Sequence, residues 1–255
     1  MIGVTWINTD PIVASARMRT IIPRQVLRMR GVIHDGKDVV IAAKHGWPVE
    51  AVRKMFPKMV MDVCDDHFDS PQFGKHYRDA CIFADVVTCN SQAMKARIKQ
   101  VLNIDAVMID DPYEDAELEP SYGTGVLWFG HKSNLPDIER YKSDITDLTI
   151  ISNHNWSPEF LDYSLRHCGI VVIPTGKSMC KSANRAIKAI RYGKYPVCEH
   201  LPAYEELGLK TGHLLDGLKE NHPLEEIAAL QHKIRERFSP DRVSDAWEEV
   251  LCGLI

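Results

Sequence analysis

No stretch of the 255-residue sequence approaches the ~20 consecutive apolar residues that cross a bilayer. The opening "MIGVTWINTDPIV" lacks the basic flank and long apolar core of a secretion signal. A cytoplasmic protein without a membrane span is expected. Metal-binding spacings are missing too. The seven cysteines (64, 81, 89, 168, 180, 198 and 252) never form C-x-x-C, and the 11 histidines never form H-x-x-x-H or H-E-x-x-H. Neither a zinc site nor a disulfide framework is therefore expected, and most of the cysteines read as small core hydrophobes. There is no low-complexity tract. No G-x-G-x-x-G follows the first apolar run and no P-loop is present, which counts against an α/β oxidoreductase or phosphatase of similar topology. A net charge of −4 lacks the basic footprint of a nucleic-acid partner.

What is present is a rhythm of short runs rich in Val and Ile. In the first half these are "IGVTWIN" (2–8), "DVVIAA" (38–43), "MVMDVC" (59–64), "DVVTCN" (85–90) and "AVMID" (106–110). "VLWFG" (126–130), "LTIIS" (148–152), "GIVVIP" (169–174) and "YPVC" (195–198) continue it. Continuous rather than alternating hydrophobicity suits strands buried on both faces, and helical patterns lie between them, so the fold class is α/β with parallel sheets. "DDPYEDAELEPSYGTG" (110–125) has six carboxylates, two prolines and two glycines without periodicity, and reads as an exposed connection. The expected division is a first domain over 1–112, a linker over 113–124, a second domain over 125–238 and a closing helix over 239–255. In that helix Ser239 is placed to be the N-cap and Pro240 the first helical residue.

Acidic residues are absent from two long segments. Pro11 to His34 contains none against Arg17, Arg19, Arg24, Arg28 and Arg30. Tyr163 to Cys198 contains none against Arg166, Lys177, Lys181, Arg185, Lys188, Arg191 and Lys194. Each begins near the carboxyl end of an expected strand and runs into a helix, where α/β sheets bind ligands and helix N-termini attract anions. A phosphorylated ligand held by both halves follows. In the second segment a helix starting near Ser182 puts Ala183, Ala186, Ile187 and Ile190 on its apolar stripe and Lys181, Asn184, Arg185 and Lys188 on the other face. Lys181, Ser182 and Asn184 can reach a phosphate at its start; Arg185 suits a ligand or solvent equally, and Lys188 and Arg191 suit solvent.

These residues resemble a known family. "IPTGKSMCKSANRAIKAIRYGKYPVCEHLPAYEELG" is similar to the donor-binding segment of group 1 glycosyltransferases of the GT-B fold, with its strand, loop, helix ending "EAMA-x-G-x-PVV" and "Y-x-E-L" turn. "VLWFGHKSN" resembles the strand and Gly-rich turn that open their second domain, and "SPDRVSDAWEEVL" their last helix. "ASARMRTIIPRQVLRMRG" matches "S-x-R-x-R-x-x-x-P-x-x-x-L-x-x-x-G" of some members, while "DVVIAAKHGW" and "MDVCDDHF" also have counterparts there. The resemblance implies two Rossmann-like domains facing across a cleft, with the final helix crossing back to the first. It implies transfer of a sugar from a nucleotide-diphosphate donor to an acceptor hydroxyl without a catalytic metal or other cofactor. Gly130, His131, Lys132, Lys181, Ser182, Asn184 and Arg185 are the implied donor-binding residues. Many members carry two glutamates eight positions apart, the second on the donor ribose; Cys180 and Lys188 stand at those places here.

"MDVCDDHFD" offers Asp66 and His67 as a general base at a strand end, or as a capped, solvated loop. Arg17 and Arg19 can bind donor phosphate or a charged acceptor, whereas Arg24, Arg28 and Arg30 suit plain helix surface. Asp110 and Asp111 read as parts of the connection. Trp47, Trp128 and Trp156 lie near strand ends or loops, with core packing the expectation for Trp128. The acceptor stays open among a saccharide or lipid precursor, a small molecule, a protein and a hydroxymethylated DNA base, the last disfavoured by the charge. The alternative function is a non-catalytic nucleotide-sugar-binding module, for which Cys180 and Lys188 speak.

Overall fold

A computed structural model describes residues 1–7, 10, 13–176 and 178–255. Asn8 at the end of the first expected strand, Pro11 and Lys177 lie outside the described residues. The chain forms two compact units. The first comprises Met1–Glu114, Cys180–Ser182 and Arg237–Ile255, and the second Asp115–Met179 and Ala183–Glu236.

The first unit carries strands β1 (Ile2–Ile7), β2 (Ile33–Asp35), β3 (Val39–Ala43), β4 (Lys58–Val63), β5 (Val86–Cys89) and β6 (Val107–Met108). They form one sheet in the order β2-β1-β3-β4-β5-β6, parallel throughout. All five residues of β3 are buried, as a strand covered on both faces requires. One core layer gathers Val40, Met59, Met61, Tyr77, Met94 and Ile98; the other gathers Val4, Leu27, Ile41, Val60 and Trp247. The edge strand β2 was not foreseen, because in "IHD" only Ile33 is buried and no apolar run marks it.

The second unit holds β7 (Val126–Phe129), β8 (Leu148–Ile151), β9 (Ile170–Ile173) and β10 (Tyr195–Cys198), a parallel sheet ordered β10-β9-β7-β8. Its last helix is Leu224–Arg237. The final helix, Pro240–Cys252, returns to the first unit. Ser239 Oγ caps it by accepting the Arg242 N–H at 3.2 Å. Trp247 is buried edge-on against Trp6, with ring centroids 5.4 Å apart, and Arg30, at the C-terminus of the helix Ile22–Met29, ties the final helix to that helix through Asp241 and Asp245. Among the described residues no helix is long and apolar enough to cross a membrane.

The acidic segment following β6 has no regular secondary structure, and most of its carboxylates are paired within one unit or the other. In the first unit Asp110 accepts both Nε and Nη2 of Arg237 (2.8 and 2.9 Å), Asp111 meets Arg19 at 3.2 Å, and Glu114 meets Arg17 at 2.5 Å. In the second unit Asp115 receives Lys188 at 2.7 Å, while Glu117 receives Arg191 at 2.5 Å and also Arg235. The Leu118 N–H donates to the Arg191 carbonyl and its carbonyl accepts Gln231 Nε2, both at 2.8 Å. Asp111, Glu114, Asp115 and Glu117, which read as exposed connection, are counter-charges of the basic segments.

Candidate functional site

In the second unit the carboxyl ends of β7, β8 and β9 lie along one edge of the sheet, and the loops that leave them carry the expected donor-binding residues. Gly130 follows β7 and donates its N–H to the Ile151 carbonyl at the end of β8 (3.0 Å). His131 caps the short 3-10 turn Lys132–Asn134: its Nδ1 accepts the Ser133 N–H at 3.2 Å. The Lys132 N–H donates to Asn153 Oδ1 at 2.9 Å, joining the loops after β7 and β8. Both the His131 and the Lys132 side chains are exposed.

Glycine at 130 is set by close approach. A Cβ there would lie 3.0 Å from the Trp128 ring and 3.5 Å from Nη1 of Arg185. Trp128 is fully buried beneath the turn, so it packs the core. Arg185 stands in the first turn of the helix Asn184–Arg191, which begins two residues after the start expected near Ser182 and has no side chain to cap it. Arg185 hydrogen-bonds the buried hydroxyl of Tyr204, whose pKa burial pushes up to about 12 despite that cation. Nη1 of Arg185 is itself buried and has no hydrogen-bond acceptor, and the same holds for Nε1 of Trp128. The unpaired Arg185 donor thus adjoins Gly130, an arrangement that suits an acceptor-rich ligand, because a buried donor left unpaired costs free energy.

The loop after β9 is held from below. Glu199 accepts the Thr175 N–H at 2.7 Å and is also engaged by Arg140 and by the Tyr141 hydroxyl. Nothing in the local sequence signals this hub, which joins residues 24 to 59 positions apart.

The remaining basic residues fall elsewhere. Lys181 and Ser182, both half-buried, belong to the first compact unit, and Asn184 and Arg185 to the second, as Gly130 does. Lys188 and Arg191, read as solvent-facing, are instead paired. Lys188 holds both oxygens of Asp115, and Arg191 is buried, with Nη2 on the Asp115 carbonyl at 2.8 Å. Lys194 is fully buried with Nζ on Ser121 Oγ at 2.9 Å, and burial lowers its pKa.

In the first unit Arg19 is only 1% exposed. Its guanidinium forks onto Asp62 (3.0 and 2.5 Å), reaches Asp111 and the Ile109 carbonyl, and lies 5.5 Å over the Trp247 ring. Burial works against the cation, yet the two carboxylates hold its pKa above the usual arginine range. This is a structural network, and its carboxylates rather than a ligand satisfy the Arg19 guanidinium. Arg17 forks onto Glu114 through Nε and Nη2, at 2.5 and 3.2 Å. Arg24 and Arg28 share Asp35 at the surface.

The loop after β4 carries the acceptor-side candidates. Asp66 Oδ1 accepts the Phe68 N–H (3.4 Å) and Oδ2 accepts Arg97 Nε (3.2 Å), the bonding of a loop-forming aspartate. Asp65 is paired with Lys44; burial acts to raise its pKa, but Lys44 holds the carboxyl below its ordinary value. His67 is half-buried beside Phe73 and Tyr77. Burial pushes its pKa below 6.5, so the ring is a neutral proton acceptor at neutral pH. Trp47 is buried and Trp156 is 45% exposed; six of the seven cysteines are buried, Cys252 being the exposed one. Among the described residues no three His, Cys, Asp or Glu side chains are grouped to hold a metal ion.

No protein-family profile matches the sequence, and no curated protein matches it. Solved structures do resemble the fold. Anabaena HepE, in complex with UDP and glucose, superposes with a TM-score of 0.61 at 13% identity, covering 96% of this chain and 84% of that one. A glycosyltransferase from Rickettsia africae gives 0.57 at 13% identity, with 97% and 83% covered. An α,α-trehalose 6-phosphate synthase from Burkholderia multivorans gives 0.58 at 9% identity, with 97% and 77% covered. At such identities the likeness defines the fold: two Rossmann-like parallel-sheet domains of GT-B type, with the final helix packed on the first.

Proposed function

We propose that the protein is a glycosyltransferase that moves a sugar from a nucleotide-diphosphate donor to an acceptor hydroxyl. The observation that supports the reading is the buried Arg185 Nη1, without an acceptor, beside Gly130 in a GT-B-type second domain. A diphosphate supplies the missing acceptor. In the reaction the bond between the anomeric carbon and the phosphate oxygen breaks, and its electron pair leaves with the diphosphate. The acceptor oxygen bonds to that carbon and gives up its proton. Arg185, with Asn184 at the helix start and His131 and Lys132 on the adjoining turn, would meet the charge that grows on the leaving group. Such preorganised electrostatic stabilisation is often the largest catalytic contribution. On this reading the side chains carry the task and no metal or cofactor is required.

His67 is our choice for the base that takes the acceptor proton, because it is neutral and its neighbours are rings; Asp66 already serves the loop through Arg97 and Phe68. His67→Gln should leave nucleotide binding unchanged and lower the transfer rate by about 10²- to 10⁴-fold. A normal rate would remove His67 from the chemistry. The reading as a whole is tested by calorimetric titration with UDP and GDP, followed by mass spectrometry of products from mixed sugar donors and an acceptor panel that includes hydroxymethylated DNA. Binding together with transfer supports it. Binding with neither hydrolysis nor transfer favours a binding module, and absence of binding overturns both.

A further inference from the structure

Six rings in the first unit form a continuous train at the carboxyl ends of β3 and β4. His45 stacks flat on Phe73, with centroids 3.8 Å apart and planes within 12°. Phe73 meets His67 edge-on at 5.6 Å, and His67 meets Tyr77 edge-on at 5.2 Å. Tyr77 adjoins His76 at 6.3 Å, and His76 stands edge-on to Trp47 at 4.9 Å. Trp47 returns to the loop that carries His45, where its Nε1 donates to the Ala43 carbonyl at 3.3 Å. His45 and His67 lie 6.4 Å apart, centroid to centroid. Three imidazoles therefore alternate with three aromatic rings, and the loop of His45 is bent tightly to achieve it: Lys44 has φ +61° and Gly46 φ +91°, both in the left-handed region.

From this arrangement we infer that His45 is a positioning residue for His67, holding its imidazole through the Phe73 ring the two share and setting its proton affinity by charge. The inference rests on the reading of His67 as the acceptor-side base. The groups around the pair are Lys44 from the loop after β3, Cys64, Asp65 and Asp66 from the loop after β4, and His76, Tyr77 and Asp79 from the helix Gly74–Phe83. For His67, burial lowers the pKa first; Asp65 opposes it, Lys44 and His45 reinforce it, and Asp66 opposes it. For His76, burial again comes first and His45 reinforces it, against a hydrogen bond to the Lys44 backbone and the charge of Asp79. His45 is the one imidazole whose charge acts on both others. Asp65 is paired with Lys44, so that charge is not simply cancelled.

The sign follows. A protonated His45 repels a second proton on His67, so losing the His45 charge makes His67 easier to protonate and moves its titration upward. A base that is protonated at higher pH loses activity at higher pH, so the acid limb of transfer moves upward as well.

The experiment uses the full chain with His45→Phe, which keeps a ring on Phe73 and removes the charge, and His45→Gln, which removes both. The imidazole signals of His67 and His76 are followed by NMR from pH 8 to pH 4.5, each assigned by its own Gln substitution. Both should titrate higher in both variants, by up to roughly half a pH unit, the shift for a unit charge about 6 Å away in largely aqueous surroundings. Unmoved titrations in His45→Phe overturn the charge role, whatever His45→Gln does. The acid limb of the transfer rate then separates inference from reading. If it rises with the His67 titration, both stand; if the titration moves and the limb does not, His45 keeps its role and His67 is not the base.

Discussion

The two acid-free basic segments look alike in sequence and end differently in the molecule. In the first, Arg17 and Arg19 are each forked onto carboxylates, Glu114 for one and Asp62 with Asp111 for the other. In the second, Lys188 and Arg191 are likewise paired, with Asp115 and Glu117, yet Arg185 on the same helix keeps a buried nitrogen without an acceptor beside Gly130. Charge segregation along a chain therefore has two physical origins. One is an internal counter-ion brought from a distant segment; the other, on the reading proposed above, is a ligand. Only the partner list of each guanidinium tells them apart.

Substitutions that strike the two origins separately should have opposite signatures. The largest effect is expected from Arg19→Met, which leaves Asp62 and Asp111 buried without their cation. Urea unfolding should show a loss of about 3–5 kcal/mol, the scale for breaking a buried ion pair from one side. Nucleotide affinity of the folded protein should not change; a specific loss of affinity with intact stability would return Arg19 to the ligand site. Arg185→Met is expected to do the reverse. Its unfolding free energy should fall by only about 1 kcal/mol, for the hydrogen bond lost at the buried Tyr204 hydroxyl, while nucleotide-diphosphate affinity falls by about 1.5–3 kcal/mol, the worth of a charge-assisted hydrogen bond. An unchanged dissociation constant in calorimetry would break the comparison at its centre.

A smaller effect is expected at Arg17. It is 31% exposed, so Arg17→Gln should cost about 0–1 kcal/mol in the same unfolding assay, as partly solvated ion pairs do. A cost approaching that of Arg19→Met would show that exposure is the wrong criterion for ranking these pairs. The smallest effect concerns the imidazoles of the first unit. His67 and His76 are held below 6.5 chiefly by burial, so as the pH falls through 6.5 the unfolded chain takes up protons that the folded one does not. That stability is full above 6.5 and is lost on going down toward the folded values. The thermal midpoint of the parent should therefore drop more between pH 7 and pH 5 than that of a His67→Gln, His76→Gln variant; equal drops would place the loss elsewhere.

Much of the fold was legible in advance. All nine expected strands are present, because each is marked by a short apolar run that stands out between helical patterns, even at the edges β6 and β8. Ser239 and Pro240 opened the final helix as their chemistry requires. The strand β2 was missed because a half-exposed edge needs no such run. In the site, Gly130 was recognised by its turn, but its physical reason, the Trp128 ring on one side and Arg185 on the other, required the packed sheet. Lys188 and Arg191 were misassigned to solvent for a related reason: helical periodicity places a side chain on a face and says nothing about what a later fold brings to that face. The Glu199 hub carried no local signal whatever.

By itself the sequence determined the class of the protein: short Val- and Ile-rich runs spaced by helices admit only parallel α/β sheets, and local hydrophobic periodicity is enough to encode that. Tertiary structure alone decided which positive charges are neutralised. The pairs that neutralise them span 97 residues for Arg17 and Glu114 and 73 for Lys188 and Asp115, and a Coulomb interaction depends on distance in space, which no local pattern along the chain records.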